Sequence, residues 1–479
     1  MNASGSGLPA RVAIFGFARS GRALAGALLA RGVDVIVGDD RQESDFEGTE
    51  AMRQAGVRFV FGGPGEELLE GAGWLVLSPG VPMTAPLVLS ARSRGLPVLA
   101  ELEVAWRIAQ AEAEGENRWV AVTGTNGKST TTSWIAHILR RAGRPVALAG
   151  NIGVPLSDFL AERRPRDFVC EVSSSQLEGI EQFRPGVAVL TNITPDHLDR
   201  YADFDEYRAA KERLFANQKS GDVAIVNADD PPAAGARTGD ARRVPFSRRG
   251  EASGGAWLEA GALVSEVAGS RREILPANKV ALPGAHNLEN ALAAMAAAQA
   301  AGAPDDAVRE GLSAFHGLPH RTELVLETAG VRWINDSKGT NVDATAKSLE
   351  GFPEKSVLLI LGGRDKHGDF STLKAPVGRA TRLVLTIGEA APLIEKALSG
   401  AAPIERAETM DRAVALASEI ARPGDTVLLS PACASFDQYK NFEERGRHFA
   451  QLARAAVEVR SPKSEVPRPG LDQGQRTKD

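Results

Sequence analysis

The chain has 479 residues, of which 43% are hydrophobic and 24% are charged, a composition typical of soluble globular proteins. This length exceeds what one hydrophobic core usually supports, so we expect about three domains. The formal charge of −5 argues against a nucleic-acid partner, because no excess of basic residues would offset phosphate repulsion.

Three features predict a cytoplasmic protein that does not insert into a membrane. Residues 1–9 lack the charged and apolar regions of a signal peptide. The two cysteines, Cys170 and Cys433, are predicted to be small buried side chains in a reducing compartment. The alanine-rich run 291–303 is too short to span a bilayer and predicts a packed helix.

The first block of the chain alternates between predicted strands and helices. In order they are a strand, a turn, a helix, two strands and a helix, at 12–15, 16–21, 22–31, 33–37, 74–77 and about 101–114. This βαβ order predicts a parallel sheet.

The same rhythm restarts in the second block. Predicted strands lie at 119–122, 146–149, 168–172, 187–190 and 223–226, with helices ending near 141 and covering 286–301. Between them, the irregular stretch 244–279 predicts a small antiparallel addition.

A third α/β block follows, with predicted strands at 324–327, 357–361, 383–387 and 426–429. The tail 461–479 is rich in Pro, Lys, Arg and Gly and is predicted to be disordered. The predicted fold class is therefore α/β, with three domains.

A glycine-rich segment between a predicted strand and helix carries the clearest chemistry. Its residues are Gly124, Thr125, Asn126, Gly127, Lys128, Ser129 and Thr130. Its glycines let backbone N–H groups turn toward a polyphosphate, and the helix start adds partial positive charge. Lys128 would reach the outer phosphates and Ser129 would supply an oxygen to Mg²⁺. The alternative is a flexible turn that only caps the helix, but Gly-Lys-Ser-Thr after an apolar strand favours phosphate binding.

Three more side chains are candidates at the same sheet edge. Glu171 follows an apolar strand and could bind Mg²⁺, which favours oxygen ligands. His197 lies just past the next strand, where its spacing fits a capped turn or a metal ligand equally well. Lys211 lies in a predicted helix, and its spacing alone indicates a surface lysine.

The turn 16–21, with Asp39 about twenty residues further on, resembles a dinucleotide fingerprint. Ala18 replaces its middle glycine, which favours a nucleotide-diphosphate site with the acid near a ribose or base. The alternative interpretation is a turn that serves packing alone.

Polar clusters also occur at 286–290, 335–341 and 430–439. Each lies at a predicted strand end or helix start, where ligands bind in open α/β sheets.

Together these residues resemble the Mur ligase family over residues 11–455, and within it the branch that adds D-glutamate. The glycine-rich segment is shared with folylpolyglutamate synthases, whereas the blocks 317–321, 333–338 and 430–442 are more specific. The resemblance implies a Rossmann-like UDP-binding domain (1–115), a central P-loop-type ATPase domain with a parallel sheet (116–317) and a Rossmann-like C-terminal domain that binds the amino acid (318–460).

The resemblance also implies a reaction. ATP would activate the carboxylate of UDP-N-acetylmuramoyl-L-alanine as an acyl phosphate, and D-glutamate would then form an amide with it, in peptidoglycan precursor synthesis. The enzyme would be a cytoplasmic monomer that uses two Mg²⁺ ions. Alternatives are a related ligase with another acceptor, a dehydrogenase built on the turn 16–21, and a nucleotide-binding switch without turnover.

Site residues carried over from the family fall into four groups. Besides the glycine-rich segment, ATP would contact Asn287, Asn290, Arg321, Asp336 and Lys338. Metal ligands would be Ser129, Glu171, His197 and Lys211, the last as a carbamate. The UDP-sugar would contact Arg19, Ser20, Asp39, Ser78 and Asn151. D-glutamate would contact Thr340, Lys366, Ser435 and Tyr439. Catalysis would depend on Lys128, Lys211 and His197, the histidine as a conceivable proton acceptor. The chain departs from the family at Ala18-Arg19 and at Ser175, where an aromatic residue is usual.

Overall fold

The computed structural model describes residues 7–460, apart from 163, 199, 283 and 367, and gives only the backbone of 457–460. The tail 461–479, predicted to be disordered, lies outside the described residues. Within the described part of the chain, none of the helices has the length and apolar character needed to cross a membrane.

The first region is built on a five-stranded parallel sheet. Its elements are β1 (Arg11–Phe15), α1 (Arg19–Leu29), β2 (Asp34–Asp39), α2 (Thr49–Gln54), β3 (Arg58–Phe61), β4 (Trp74–Leu77), α3 (Pro86–Ser93), β5 (Val98–Ala100) and α4 (Glu101–Glu112). The strand order is β3-β2-β1-β4-β5. The winding reverses between β1 and β4, which opens a crevice at the carboxyl ends of these two strands.

Helix α1 begins at Arg19 rather than at residue 22 as the sequence predicted. Its buried face consists of Gly21, Leu24, Ala25 and Leu28, which recur at helical spacing. The earlier start places Arg19 and Ser20 in the first helical turn, directly above the crevice between β1 and β4.

The second region contains a nine-stranded sheet. Its elements are β6 (Arg118–Thr123), α5 (Lys128–Arg141), β7 (Val146–Gly150), β8 (Asp167–Glu171), α6 (Ser174–Glu178), β9 (Val187–Leu190), α7 (Phe204–Glu212), β10 (Val223–Asn227), α8 (Pro231–Ala234), β11 (Arg242–Ser247), β12 (Ala256–Glu259), β13 (Ala262–Ser265), β14 (Arg272–Pro276), α9 (Ala285–Ala300) and α10 (Asp305–Ser313). The order is β14-β13-β12-β11-β10-β9-β6-β8-β7. The winding reverses between β6 and β9, which again places a crevice beside the strand that carries the glycine-rich segment.

The predicted antiparallel addition at 244–279 is partly correct. Strands β12, β13 and β14 pair in antiparallel fashion, but β11 pairs in parallel with both β10 and β12. The addition therefore extends the central sheet.

The third region has a six-stranded sheet. Its elements are β15 (Glu323–Thr328), β16 (Val331–Asn335), α11 (Val342–Glu350), β17 (Val357–Gly362), α12 (Lys374–Ala380), β18 (Thr381–Ile387), α13 (Ala391–Ala397), β19 (Ile404–Glu408), α14 (Met410–Ile420), β20 (Thr426–Leu429) and α15 (Phe442–Arg460). The order is β15-β16-β20-β17-β18-β19, and only β15 runs antiparallel to its neighbour. The segments after β16, β20 and β17 therefore leave the same edge of the sheet side by side.

Two compact units emerge from the packing. The described residues from 7 to 318, together with Lys366 and Gly368, form one, and the remaining described residues of the third region form the other. The domain boundaries at 115, 317 and 460 stay predictions.

The first two regions share one apolar cluster, which reaches from Val12 in β1 to Ala224 in β10. Backbone contacts reinforce it, because the amide of Ala100 donates to the carbonyl of Gly179 at 2.8 Å. The carboxylate of Glu103, which is fully buried, accepts the amides of residues 181–183 at 2.8–3.1 Å. The first two regions are thus joined by buried polar contacts as well as by apolar packing.

Candidate active site

The turn after β6 is shaped by two glycines that other residues could not replace. Gly124 has φ +146° and Gly127 has φ +81°, both in the region that favours glycine. A Cβ atom on Gly124 would lie 2.0 Å from Oγ1 of Thr191, and one on Gly127 would lie 2.3 Å from Oδ1 of Asn290. The backbone here is packed directly against neighbouring polar side chains.

Those neighbours hold the carbonyl oxygens of the turn. Nζ of Lys211 donates to the carbonyl of Gly124 and Nζ of Lys128 donates to that of Thr125, each at 2.8 Å. The carbonyl of Asn126 accepts from Oγ1 of Thr191 at 2.6 Å and from Nδ2 of Asn192 at 3.1 Å.

This grip has a geometric consequence. In a planar trans peptide bond, the carbonyl of one residue and the N–H of the next point in opposite directions. The amide of Gly127 therefore points away from Thr191 and Asn192, at the start of helix α5. That is the arrangement in which backbone N–H groups and the helix dipole attract an anion.

Three predicted residues meet at the carboxyl ends of β8 and β7. The hydroxyl of Ser129 donates to Oε2 of Glu171. Nδ2 of Asn151 donates to Oε1 of the same carboxylate at 2.8 Å, and the backbone amide of Asn151 donates to the backbone carbonyl of Glu171 at 2.9 Å. The first turn of α5, the end of β8 and the segment after β7 thus share one buried acid.

Lys211 is buried with 2% of its surface exposed, so the surface location indicated by its spacing is wrong. Its ammonium group lies 4.4 Å from the ring centroid of Tyr207. Burial lowers the pKa of Lys211 well below its ordinary value, and the positive charge of Lys128 lowers it further, against the opposing effect of Asp196 and Glu171. A lysine of this kind has a larger neutral fraction, and the neutral amine is the form that reacts with electrophiles.

His197 lies in a turn with a positive φ of 56°. Its side chain is half exposed, and its Nε2 lies 3.8 Å from Oδ2 of Asp196. Partial burial lowers the pKa of His197, despite the opposing charge of Asp196. The imidazole is therefore mainly neutral at pH 7, as either a metal ligand or a proton acceptor must be.

The fit of Mg²⁺ to this edge can be judged from its donors. Among the residues that the structure describes, no three His, Cys, Asp or Glu side chains gather into a cage for a metal. Ser129 and Glu171 nevertheless offer adjoining oxygen atoms. Mg²⁺ binds through one or two carboxylates and takes its other ligands from water and phosphate, so these donors fit it.

Two predicted ATP residues approach the turn from α9. Oδ1 of Asn290 accepts from Oγ1 of Thr131 at 3.3 Å, and its Nδ2 lies 3.5 Å from Oδ1 of Asn287. Both asparagines are buried. The start of α9 is thus fixed against the first turn of α5.

The turn after β1 is closed by side chains from two other strands. The hydroxyl of Ser78 donates to the carbonyl of Gly16 at 2.7 Å, and Oδ2 of Asp39 accepts the amide of Phe17 at 2.7 Å. Burial acts to raise the pKa of Asp39, but hydrogen bonds from Arg41 and Phe17 bring it below its usual value. The carboxylate is therefore ionised at neutral pH.

Arg19 and Arg41 border this turn. The guanidinium of Arg19 donates to the carbonyl of Gly153, just beyond Asn151. Arg41 pairs with Asp39 at 3.1 Å and lies 4.3 Å from the ring centroid of Phe46. Four of the five predicted UDP-sugar residues, with Ser20 in the first turn of α1, thus lie around the crevice between β1 and β4, and Arg19 reaches toward the fifth.

In the third region, Asp336 connects three segments. Its Oδ2 accepts the hydroxyls of Ser348 at 2.6 Å and Ser430 at 2.8 Å, and its Oδ1 accepts the amide of Thr322 at 3.2 Å. Burial raises the pKa of Asp336, while these hydrogen bonds and the charge of Arg321 oppose that rise. Asp336 and Arg321, both predicted ATP residues, therefore lie together.

The four residues predicted to hold D-glutamate follow β16, β17 and β20, which are neighbours in the sheet. They are Thr340, Lys366, Ser435 and Tyr439. The amide of Thr340 donates to the carbonyl of Lys338, whose ammonium lies 4.0 Å from the ring centroid of Phe442. The hydroxyl of Tyr439 lies 2.9 Å from Nδ1 of His448, and burial raises the pKa of Tyr439 to about 12.

Sequence reasoning missed Arg445, which is 1% exposed. Its guanidinium donates to the carbonyls of Ser337, Cys433 and Ala434 at 2.9–3.2 Å. Burial lowers its pKa to about 10. An arginine at helical spacing in α15 gives no signal of this role, because only the fold brings the segments that contain Ser337 and Cys433 within its reach.

Thr191, Asn192 and Tyr207 were also missed. The first two follow β9 directly, so polar residues at the end of a buried strand could have drawn attention to them. The hydroxyl of Tyr207 lies 3.2 Å from Oγ1 of Thr125, a contact that spans 82 residues and has no local signal.

Comparison with known proteins decides the family. Three family models cover most of the chain: a "Mur ligase MurD-like, N-terminal domain" at 10–100, a "Mur ligase middle domain" at 122–298 and a "Mur ligase, glutamate ligase domain" at 320–433. The chain belongs to the Mur ligase family. Mur ligases are ATP-dependent enzymes that form peptide bonds in peptidoglycan precursor synthesis.

Curated relatives within the Mur ligase family align over nearly their whole length. A UDP-N-acetylmuramoylalanine–D-glutamate ligase of Pelotomaculum thermopropionicum is 44% identical over 92% of this chain and 97% of its own. One from Anaeromyxobacter dehalogenans is 45% identical with the same coverage. Among solved structures, the MurF ligase of Thermotoga maritima in complex with ADP has a TM-score of 0.60 at 17% identity, covering 89% of this chain and 96% of its own. That likeness bears on the fold alone.

Proposed function

We propose that this Mur ligase joins D-glutamate to UDP-N-acetylmuramoyl-L-alanine, with ATP as the energy source and an acyl phosphate as the intermediate. The observation that carries the proposal is the polar edge formed by Lys128, Ser129, Glu171 and Lys211 around the turn after β6. The relatives that bear the name of this activity support the choice of substrates.

Activation of the carboxylate is assigned to the turn after β6. A carboxylate does not couple with an amine in water unaided, so its oxygen must first become part of a better leaving group. Phosphoryl transfer requires positioned charge more than covalent help from the protein. Lys128 and the amides at the start of α5 would bind the phosphates, with Asn287 and Asn290 bordering the nucleotide.

Mg²⁺ would be held by Ser129, Glu171 and His197, and it would neutralise negative charge on the phosphoryl oxygens. Unmodified Lys211 would be a poor ligand, because its ammonium form has no lone pair and Mg²⁺ favours oxygen over the nitrogen of its neutral form. As a carbamate it would supply two oxygens and a negative charge. The depressed pKa of Lys211 favours this reaction, since only the neutral amine adds to carbon dioxide.

Capture of the activated carboxyl group is assigned to D-glutamate held by the third region. Lys366 would pair with a carboxylate of the amino acid, and Thr340, Ser435 and Tyr439 would complete the site. The amine must be deprotonated to attack, and the mainly neutral His197 is the proposed proton acceptor.

The nucleotide part of the UDP-sugar is assigned to the crevice between β1 and β4. Arg19 and the first turn of α1 would meet the diphosphate, and Asp39 and Arg41 lie where a ribose or base would bind. Asn151 would contact the muramoyl end, between this crevice and Glu171. We also propose a cytoplasmic monomer with domain boundaries near 115 and 317; the burial of both cysteines, Cys170 and Cys433, agrees with a reducing compartment.

The proposal is tested by omitting each substrate in turn from a phosphate-release assay. Phosphate should appear only with ATP, Mg²⁺, the UDP-sugar and D-glutamate together. A second series replaces D-glutamate with other amino acids, and the UDP-sugar with a folate. Release that is faster with another acceptor would assign the chain to a different ligase activity.

A further inference from the structure

Arg200 joins segments from both regions of the first unit. Its guanidinium donates to both carboxylate oxygens of Glu178, Nε at 3.0 Å and Nη2 at 2.7 Å. From the same planar group, Nη1 donates to the carbonyl of Pro79 at 3.3 Å and Nη2 to that of Val81 at 3.2 Å. One side chain thus ties helix α6 of the second region to the segment 79–81 of the first.

Segment 79–81 directly follows Ser78, whose hydroxyl holds the turn after β1. The amide of Val81 donates back to the carbonyl of Ser78 at 3.0 Å, so the segment is a tight turn at the crevice between β1 and β4. A shift of this turn would move Ser78 and, through it, the backbone at Gly16.

At its other end, Arg200 belongs to the turn that carries His197. The amides of Arg200 and Tyr201 donate to the carbonyl of His197 at 2.9 and 3.2 Å. The hydroxyl of Tyr201 donates to Oε1 of Glu178 at 2.5 Å, and its ring lies 5.3 Å from that of Tyr207. The network therefore reaches from the nucleotide-sugar crevice to the edge where phosphoryl transfer is assigned.

The geometry requires an arginine. The side chains of Arg200 and Glu178 are only 18% and 15% exposed, so the pair is shielded from solvent. A guanidinium presents its donors in a rigid fork and can serve a carboxylate and two carbonyls at once. A lysine has a single nitrogen on a flexible stem and cannot keep all these contacts.

We propose that Arg200 is a positioning residue that holds segment 79–81, and with it the nucleotide-sugar crevice, in register with the phosphoryl-transfer edge. The inference rests on the proposed function for the identity of the two ligands. It assigns Arg200 no contact with the reacting atoms. Its effect is expected on the alignment of the nucleotide-sugar and not on the binding of ATP.

The test compares Arg200→Lys with the unmodified enzyme in steady-state assays. The KM for UDP-N-acetylmuramoyl-L-alanine should rise about tenfold, the effect of losing roughly one charge-assisted hydrogen bond, while the KM for ATP changes by less than about threefold. Glu178→Gln keeps the shape but removes the charge that orients the guanidinium. It should also raise the KM for UDP-N-acetylmuramoyl-L-alanine more than the KM for ATP, but by a smaller factor than Arg200→Lys.

Arg213→Lys is the matched control. The guanidinium of Arg213 also donates to two carbonyls, those of Leu177 at 2.7 Å and Ile180 at 2.6 Å, but both lie within the second region. This variant should lose comparable thermal stability without separating the two KM values. An equal rise of both constants in Arg200→Lys, or the same split in Arg213→Lys, would overturn the proposal.

Calorimetric titration with UDP-N-acetylmuramoyl-L-alanine alone separates this inference from the proposed function. Binding that weakens about tenfold in Arg200→Lys supports the positioning role, even if the unmodified enzyme fails to use D-glutamate. Binding that is equal in the two proteins contradicts it, even if the unmodified enzyme is fully active.

Discussion

The turns after β1 and β6 occupy equivalent places in their sheets, yet they are held in different ways. The first is closed by the hydroxyl of Ser78 and the carboxylate of Asp39. In the second, the carbonyls of Gly124 and Thr125 each accept a hydrogen bond from Nζ of a lysine, Lys211 and Lys128 respectively. One topological position thus supports two electrostatic environments, an acidic one bordered by arginines and one that contains two lysines.

The difference matches what each ligand would need. A nucleotide-sugar must be bound and released unchanged at its diphosphate, and an arginine at a helix start is enough for that. Transfer of a phosphoryl group needs positive charge where charge moves in the transition state, and such charge is most effective in a dehydrated site. Removing a charged side chain at the second turn should therefore act on turnover, and removing one at the first should act on substrate binding.

The largest effect is expected from Lys128→Ala. Removing this charge from the phosphoryl-transfer edge should lower kcat roughly 10²- to 10³-fold, the usual cost of deleting one such group. The counterpart at the first turn, Arg19→Ala, should mainly raise the KM for the UDP-sugar. Phosphate-release kinetics measure both, and circular dichroism checks that the folds are intact. If Arg19→Ala lowered kcat as much as Lys128→Ala, the distinction between the turns would fail.

Lys211 should make activity depend on carbon dioxide. In carbonate-free buffer the turnover of the unmodified enzyme should fall severalfold and recover on adding bicarbonate, more so as pH rises and the amine becomes neutral. Lys211→Met should show low activity and no response to bicarbonate. An unmodified enzyme that is equally active in carbonate-free buffer would contradict the carbamate.

The same residue predicts a pH dependence of stability. Burial lowers the pKa of Lys211 in the folded protein well below 10.5, the ordinary value that applies in the unfolded chain. At a pH between the folded and the unfolded pKa, the unfolded chain therefore binds more protons at this group than the folded protein. Without the carbamate, the free energy of unfolding should therefore rise with pH across that window. Denaturant titrations of Lys211→Met should lack this contribution.

Two glycine substitutions, one in each turn, should raise the KM for different substrates. Gly127→Ala forces a Cβ to 2.3 Å from Oδ1 of Asn290 and should raise the KM for ATP roughly five- to 160-fold, as strain of about 1–3 kcal/mol would do. Gly16→Ala forces a Cβ to 2.6 Å from that of Ser78 and should raise the KM for the UDP-sugar instead. Gly26→Ala, in an open position on α1, is the control and should leave both constants unchanged.

The smallest effect is expected from Thr191→Val. It removes the 2.6 Å hydrogen bond to the carbonyl of Asn126 but leaves that of Asn192, so the loss should be about 1 kcal/mol. A three- to tenfold rise in the KM for ATP, with little change in that for the UDP-sugar, would agree with a bracing role. An unchanged KM for ATP would mean that the hydrogen bond from Asn192 is enough to hold the carbonyl of Asn126.

The sequence predicted the central strands of all three sheets because their apolar runs lie between clear turn signals, but it missed the strands β3, β5 and β19. It also predicted the turn after β6, where glycine, lysine and serine stand at informative spacing. It could not place Lys211, because a helix with many charged residues indicates exposure and only the packing of α7 buries this one. Nor could it find Arg445 or Arg200, whose partners lie in other segments of the chain and include backbone carbonyls, which carry no sequence signal.

The seam between the first two regions limits how this chain can be divided. Glu103 finds its amide partners at residues 181–183, and Glu101 accepts the amide of Ser157 at 2.9 Å. If either region were expressed by itself, these carboxylates or their partner amides would be exposed to water. The apolar surface that the other region normally covers would be exposed with them. We therefore expect residues 7–318 to be the smallest soluble fragment from this end of the chain, and shorter pieces cut near residue 115 to aggregate.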